Sequence, residues 1–117
     1  MAKKIDWLYK RKSCVTCQRA DGYIETAGTK VGEVVDARKD RIDPAGALEL
    51  AKTVDKIVAA KGKKVVTLDL KKDHPGDETV LAHLIGPTGN LRAPTARVGR
   101  TLLVGFDEAS YAEVLGS

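Results

Sequence analysis

The sequence predicts an α/β domain: a mixed central sheet of parallel β-α-β units plus a C-terminal antiparallel hairpin, flanked by helices. Three observations predict it. Short β-branched runs alternate with stretches whose apolar residues recur every three or four positions. The pair Gly99-Arg100 separates two strand-like runs, Thr95–Val98 and Thr101–Val104, as a tight hairpin turn would. A Cys-x-x-Cys pair, Cys14 and Cys17, falls where the first predicted strand meets the first predicted helix. Alternating strands and helices imply parallel strands joined by crossover helices, and the hairpin adds antiparallel strands to the same sheet.

The elements follow in order. Ile5-Asp6-Trp7-Leu8-Tyr9 has strand composition and stops at the charged run Lys10-Arg11-Lys12. Ser13 is a candidate N-cap for a helix that begins at or just beyond Cys14. Cys17, Ala20, Ile24 and Ala27 line one face of it, and Gly28 stops it. A second strand spans Glu33–Asp36. The clearest helical signal comes next, with Asp43 as N-cap and Pro44 as first helical residue. Its buried stripe is Ala47, Leu50, Ala51, Val54, Ile57 and Val58, and it is expected to end at Lys61-Gly62. A third strand covers Val65–Asp69, His74-Pro75-Gly76 makes a turn, and a short helix covers Asp77–Ile85. Gly86–Asn90 reads as a loop. Asp107 caps a closing helix that runs through Val114 and Leu115.

The 117 residues suit one domain over 1–117, and 43% hydrophobic residues suffice for one core. Aromatics are only 4%, so aliphatic side chains fill most of it. The net charge of +4 owes much to Lys3, Lys4, Lys10, Arg11, Lys12 and Arg19 near the N-terminus. Such a cluster can steer anions, but its plainer meaning is a solvated face. With one Phe and one Trp there is little to stack on bases, so nucleic acid is not an expected partner. No apolar run approaches the roughly 20 residues of a membrane span, and Met1–Lys10 is too short and polar for a signal peptide. The expected setting is the cytoplasm, without a membrane partner. There, two cysteines are reactive or metal-bound more often than permanently bridged.

The placement of the cysteines at a strand–helix junction carries chemistry. The first turn of a helix has unpaired N–H groups and the positive end of the peptide dipoles. A thiolate there is stabilised, and its pKa falls from about 8.5 toward about 3.5–7.5. The neighbouring cations, Lys12 among them, act in the same direction. Cys14, at the helix start, is therefore the expected nucleophile. Cys17, one turn in beside Ala20 and Ile24, is the expected resolving thiol. The product is a Cys14–Cys17 disulfide that an external reductant must reopen. Other readings remain open. Structural zinc needs about four ligands. The other soft candidates are only His74 and His83, with eight residues between them. Two unrelated core cysteines would also satisfy the sequence. A purely structural bridge over so short a loop would restrain the unfolded chain little. Gly86–Gly89 lacks the P-loop pattern, and neither a cofactor nor a metal is expected.

Pro94 precedes the hairpin, where a proline marks an edge or a bend. With Ser13-Cys14-Val15-Thr16-Cys17-Gln18-Arg19-Ala20, the helix to Gly28, Asp36-Ala37-Arg38, and Pro94 followed by the hairpin and Leu102–Phe106, the chain resembles the arsenate reductase family, including its Spx-type regulators. The resemblance covers both ends of the chain and is least specific over 61–83. It implies a thioredoxin-like fold, a cis Pro94 shaping the active site close to Cys14, and Cys14 as nucleophile. Family members usually carry Arg directly before that proline; here Ala93 stands there and Arg92 one residue earlier. Arg92 and Lys12 are the candidate groups for stabilising an anion or a thiolate. The function expected is thiol–disulfide oxidoreductase, with a protein or glutathione-like thiol or disulfide as substrate. The alternatives are arsenate reduction and a non-enzymatic, redox-sensing regulator that binds a partner protein.

Overall fold

The computed structural model describes residues 4–11, 15–61, 64–87 and 89–115. The elements run β1 (Ile5–Lys10), α1 (Val15–Ala27), β2 (Val31–Asp36), α2 (Pro44–Ala51), β3 (Lys56–Lys61), β4 (Lys64–Asp69), α3 (Asp77–Leu84), β5 (Thr95–Val98), β6 (Thr101–Val104) and α4 (Glu108–Leu115). The six strands form one mixed sheet in the order β2-β1-β5-β6-β3-β4. β1 pairs parallel with β2, and β3 parallel with β6; the remaining contacts are antiparallel.

Local signals explain most boundaries. Asp43 accepts the Gly46 N–H at 2.8 Å and Pro44 opens α2. Asp107 likewise accepts the Ser110 N–H at 2.9 Å at the head of α4. Gly28 ends α1 with φ of +67°, a left-handed conformation that favours glycine. Alternation along each strand then sorts the core between the two faces of the sheet. Tyr9, Ile57, Ala59, Leu102 and Val104 pack under α2 and α3 with Ala47, Ala51, Val80 and Leu84. Leu8, Val58, Ala96 and Leu103 pack under α1 and α4 with Ile24, Tyr111 and Leu115.

One expectation is overturned. The helix predicted from Asp43 to Lys61-Gly62 stops at Ala51, and Lys56–Lys61 is strand β3. Ile57, Val58, Ala59 and Ala60 are all buried, because β3 lies between β6 and β4 with side chains packed on both faces. A strand buried on both faces reads as a continuous apolar run, and periodicity cannot separate it from a buried helix. Lys61-Gly62 is thus no helix end: Lys61 pairs with Lys64 across the β3–β4 hairpin, and the residues between them lie outside the described set. The predicted strand at Val65–Asp69 is present as the edge strand β4, antiparallel to β3. The alternating order with a single hairpin therefore gives way to a sheet with two hairpins.

The carboxyl ends of β1, β2, β3 and β6 lie at one end of the sheet. The opposite end is tied by an ion pair. Arg100, in the β5–β6 turn, donates from both arms of its guanidinium to the Asp55 carboxylate at 2.7 and 2.8 Å. The Asp55 N–H also donates to the Arg100 carbonyl at 2.7 Å. The hydrogen bond from Arg100 holds the Asp55 carboxyl below the usual carboxylate range. A carboxyl depressed in the folded chain stabilises it fully above the unfolded value of about 3.9 and loses that contribution as pH falls through the folded value. Asp55→Asn should lower the urea midpoint at neutral pH, with the gap from wild type closing in acid. An equal gap at both pH values would show that the ion pair is not its source.

Candidate functional site

The site is built on the loops at the carboxyl end of the sheet, where α/β proteins generally place their ligands. β1 ends at Lys10 and α1 begins at Val15. Cys14, together with Lys12 and Ser13, lies outside the described residues, so the expectations for Cys14 as nucleophile, Lys12 as stabilising cation and Ser13 as cap lie there too. Cys17 is the third residue of α1 and is buried, at 1% exposure, with Ala20 and Ile24 on the same face. Its Sγ accepts the backbone N–H of Arg11 at 3.5 Å. One turn further along α1, the Asp21 carboxylate accepts from Lys10 Nζ at 2.9 Å. The last residue of β1 and the one after it thus both bind the first half of α1.

Tyr9 lies opposite Thr95 at the end of the antiparallel β1–β5 register, and Pro94 immediately precedes Thr95 in the chain. The Ala93–Pro94 peptide is cis and Pro94 is fully buried. Its carbonyl accepts the Gly105 N–H at 2.8 Å, and the Thr95 hydroxyl donates to the Arg92 carbonyl at 2.5 Å. Gly105 has φ of +77°, and a Cβ there would lie 2.6 Å from the Ala60 carbonyl oxygen. That same carbonyl accepts Arg92 Nη2 at 2.6 Å. Arg92 is therefore anchored to the end of β3, and burial lowers its guanidinium pKa from the ordinary arginine value.

Beside Ala93 opens a cleft of about 500 Å³ whose charged lining is Arg11, Arg38, Arg41 and Arg92. Among the described residues that line it none is acidic, and Tyr9 and Asn90 add polar groups. The Tyr9 hydroxyl accepts the Ile42 N–H at 3.2 Å, which holds the chain just after Arg41 against β1. Arg92 was legible as a candidate from its place before Pro94. Arg41 carried no signal, because it sits in an irregular loop and only the closure of that loop over Tyr9 brings it to the cleft. Asp21 was likewise missed: four residues after Cys17 it reads as one more exposed helix charge. His74, in the turn with φ of +46°, and His83, whose ring nitrogen lies 2.8 Å from the Thr79 carbonyl, do not line this cleft.

No family model and no curated protein matches the chain. A solved structure, the YffB (PA3664) protein, is similar to it over 94% of this chain and 98% of that chain, with a TM-score of 0.56 and 20% identity. The fold is thioredoxin-like. Among the described residues no helix is long and apolar enough to cross a membrane.

Gly105→Ala tests the support beneath the cleft. The substitution puts a side chain on left-handed backbone and against the Ala60 carbonyl, so it should cost more than about 1 kcal/mol in urea unfolding. A variant as stable as wild type would show that the Gly105 loop does not hold Arg92 and Pro94 in place.

Proposed function

We propose that this chain is a thiol–disulfide oxidoreductase of the arsenate reductase-like family, with Cys14 as nucleophile and Cys17 as resolving thiol. The observation that carries the reading is Cys17 itself: a buried sulfur in the first turn of α1, bonded by the Arg11 N–H just after β1, the strand that pairs with β5 directly behind the cis Pro94. Cys14 immediately precedes Val15 in the chain, and Val15 opens α1, whose first backbone N–H groups lack helical partners. Those donors, and the cations Lys10 and Arg11 nearby in sequence, favour its thiolate. The cycle has two exchanges. Cys14 Sγ attacks a substrate disulfide, expelling one thiolate and forming a mixed disulfide. Cys17 then attacks Cys14 Sγ, expelling the second thiolate and closing the Cys14–Cys17 bond. Two electrons pass from the protein to the substrate, and an external thiol returns them.

A second reading has its own support. Four arginines around one cleft, with no acid among its described lining residues, suit an oxyanion. Arsenate reduction would use that cleft, with two thiols oxidised to one disulfide as arsenate becomes arsenite and water.

Two experiments separate these readings. Cys17→Ser should accumulate mixed disulfides when incubated with cell extract, and Cys14→Ser should capture none. Small thiols or redox proteins in the trap support the oxidoreductase, whereas a polymerase subunit points to the regulatory alternative. An empty Cys17→Ser trap overturns the role of Cys14. For the oxyanion reading, arsenate-dependent oxidation of thiols should be measurable, and Arg38→Ala or Arg41→Ala should raise KM roughly tenfold or more, the weight of a hydrogen bond to a charged group. Absence of turnover with both glutathione and thioredoxin as donors overturns it.

A further inference from the structure

The resolving exchange poses a problem that the burial of Cys17 sharpens. The attacking species must be a thiolate, yet a buried thiol loses its proton only at a cost in desolvation. Some group must take that proton. Among the described residues, titratable and charged groups that the structure ties to Cys17 or to its neighbours come from three elements. From the β1 end, Lys10 is an ammonium held by Asp21, and Arg11 turns its backbone N–H to Sγ. From α4, Tyr111 is buried, and its hydroxyl has no hydrogen-bond partner among the described residues. Burial pushes the Tyr111 phenol up, and the nearby Cys17 and Asp21 push it further, so it keeps its proton. From α1 itself comes Asp21.

Of these groups only Asp21 is a base. Its position is suitable on two counts. Residues four apart on a helix are neighbours on one face, with Cβ atoms about 5–6 Å apart. The end of β1 also holds both side chains: the Arg11 N–H donates to Cys17 Sγ at 3.5 Å and Lys10 Nζ to the Asp21 carboxylate at 2.9 Å, so two consecutive residues bind the pair. The Asp21 side chain is 43% exposed while Cys17 is sealed, so a proton taken up by the carboxylate can pass on to solvent.

We propose that Asp21 accepts the Cys17 proton in the resolving exchange, with the Lys10 ammonium as its fixed counter-ion. This inference rests on the oxidoreductase reading above. In the step, the Cys17 S–H proton passes to the Asp21 carboxylate, directly or through one water. The sulfur's electron pair forms the bond to Cys14 Sγ, the bond from Cys14 to the substrate sulfur breaks, and the departing thiolate carries its pair away. Asp21 then returns its proton to solvent. The Lys10 ammonium and the Arg11 N–H offset the negative charge while it resides on Sγ.

The test is a single turnover of the reduced full chain with the aromatic disulfide 5,5′-dithiobis(2-nitrobenzoate), whose coloured thiolate is released once at attack by Cys14 and again at resolution by Cys17. Asp21→Asn should leave the first release within about twofold of wild type and slow the second on the order of a hundredfold, the lower end of general-base contributions. Asp21→Glu should restore most of the second phase. Glu25→Gln, which removes an exposed carboxylate one turn further along α1, should change neither phase. Far-ultraviolet circular dichroism and the urea midpoint of each variant serve as the check that it is folded. If wild type releases two equivalents and Asp21→Asn resolves as fast, or loses both phases together, the inference is overturned and the oxidoreductase reading stands. If wild type releases only one equivalent, the oxidoreductase reading falls and takes the inference with it.

Discussion

The antiparallel pairing of β1 with β5 is the contact on which the functional end of this molecule depends. With Tyr9 opposite Thr95, the loop through Ala93 and Pro94 must emerge beside Lys10 and Arg11, the residues that lead into α1. A slip of one residue would turn Leu8 and Tyr9 to the wrong faces and break both cores together. The register is therefore held by the packing of buried side chains, not by anything at the site. Hydrophobic burial on two faces is spent in positioning polar groups at one end.

Those polar groups form two neighbouring environments of different character. Around Cys17 the structure is closed: a buried sulfur, a buried phenol, and one carboxylate already balanced by an ammonium. Around Arg92 it is open and cationic, with four guanidinium groups on loops that belong to different parts of the chain. Like charges brought around one cleft in this way repel. The scaffold offsets this by holding Arg92 to the Ala60 carbonyl and by closing the Arg41 loop onto the Tyr9 hydroxyl. An anion entering the cleft would relieve the repulsion, which is the physical reason for reading it as a binding site. The two environments meet at Arg11, whose backbone N–H serves the sulfur while its residue lines the cleft.

Most elements were legible because their signals are local. The Asp43-Pro44 start of α2, the Gly28 stop of α1, the hairpin around Gly99-Arg100 and the Asp107 cap each depend on a few adjacent residues. β3 was not legible, and Ile57–Ala60 shows why. Its residues carry no information about direction when both faces are covered, and the preceding helix supplied a phase into which Val54, Ile57 and Val58 fitted. The strand assignment requires neighbours on each side, and β6 is more than forty residues away in sequence.

The same division applies to the site. The chain by itself determined which residues carry reactive chemistry and where the first of them sits: a Cys-x-x-Cys pair following a strand, a proline ahead of a hairpin, an arginine just before that proline. The arginine, Arg92, stands two residues before the proline, with Ala93 between them. These are matters of residue type and short spacing. Only the tertiary structure decided that Cys17 is sealed, that Lys10 meets Asp21, and that Arg11, Arg38, Arg41 and Arg92 share one cleft. Such contacts join segments up to about eighty residues apart. They form because sheet register and core packing leave those segments no other place to go, and no local pattern encodes that geometry.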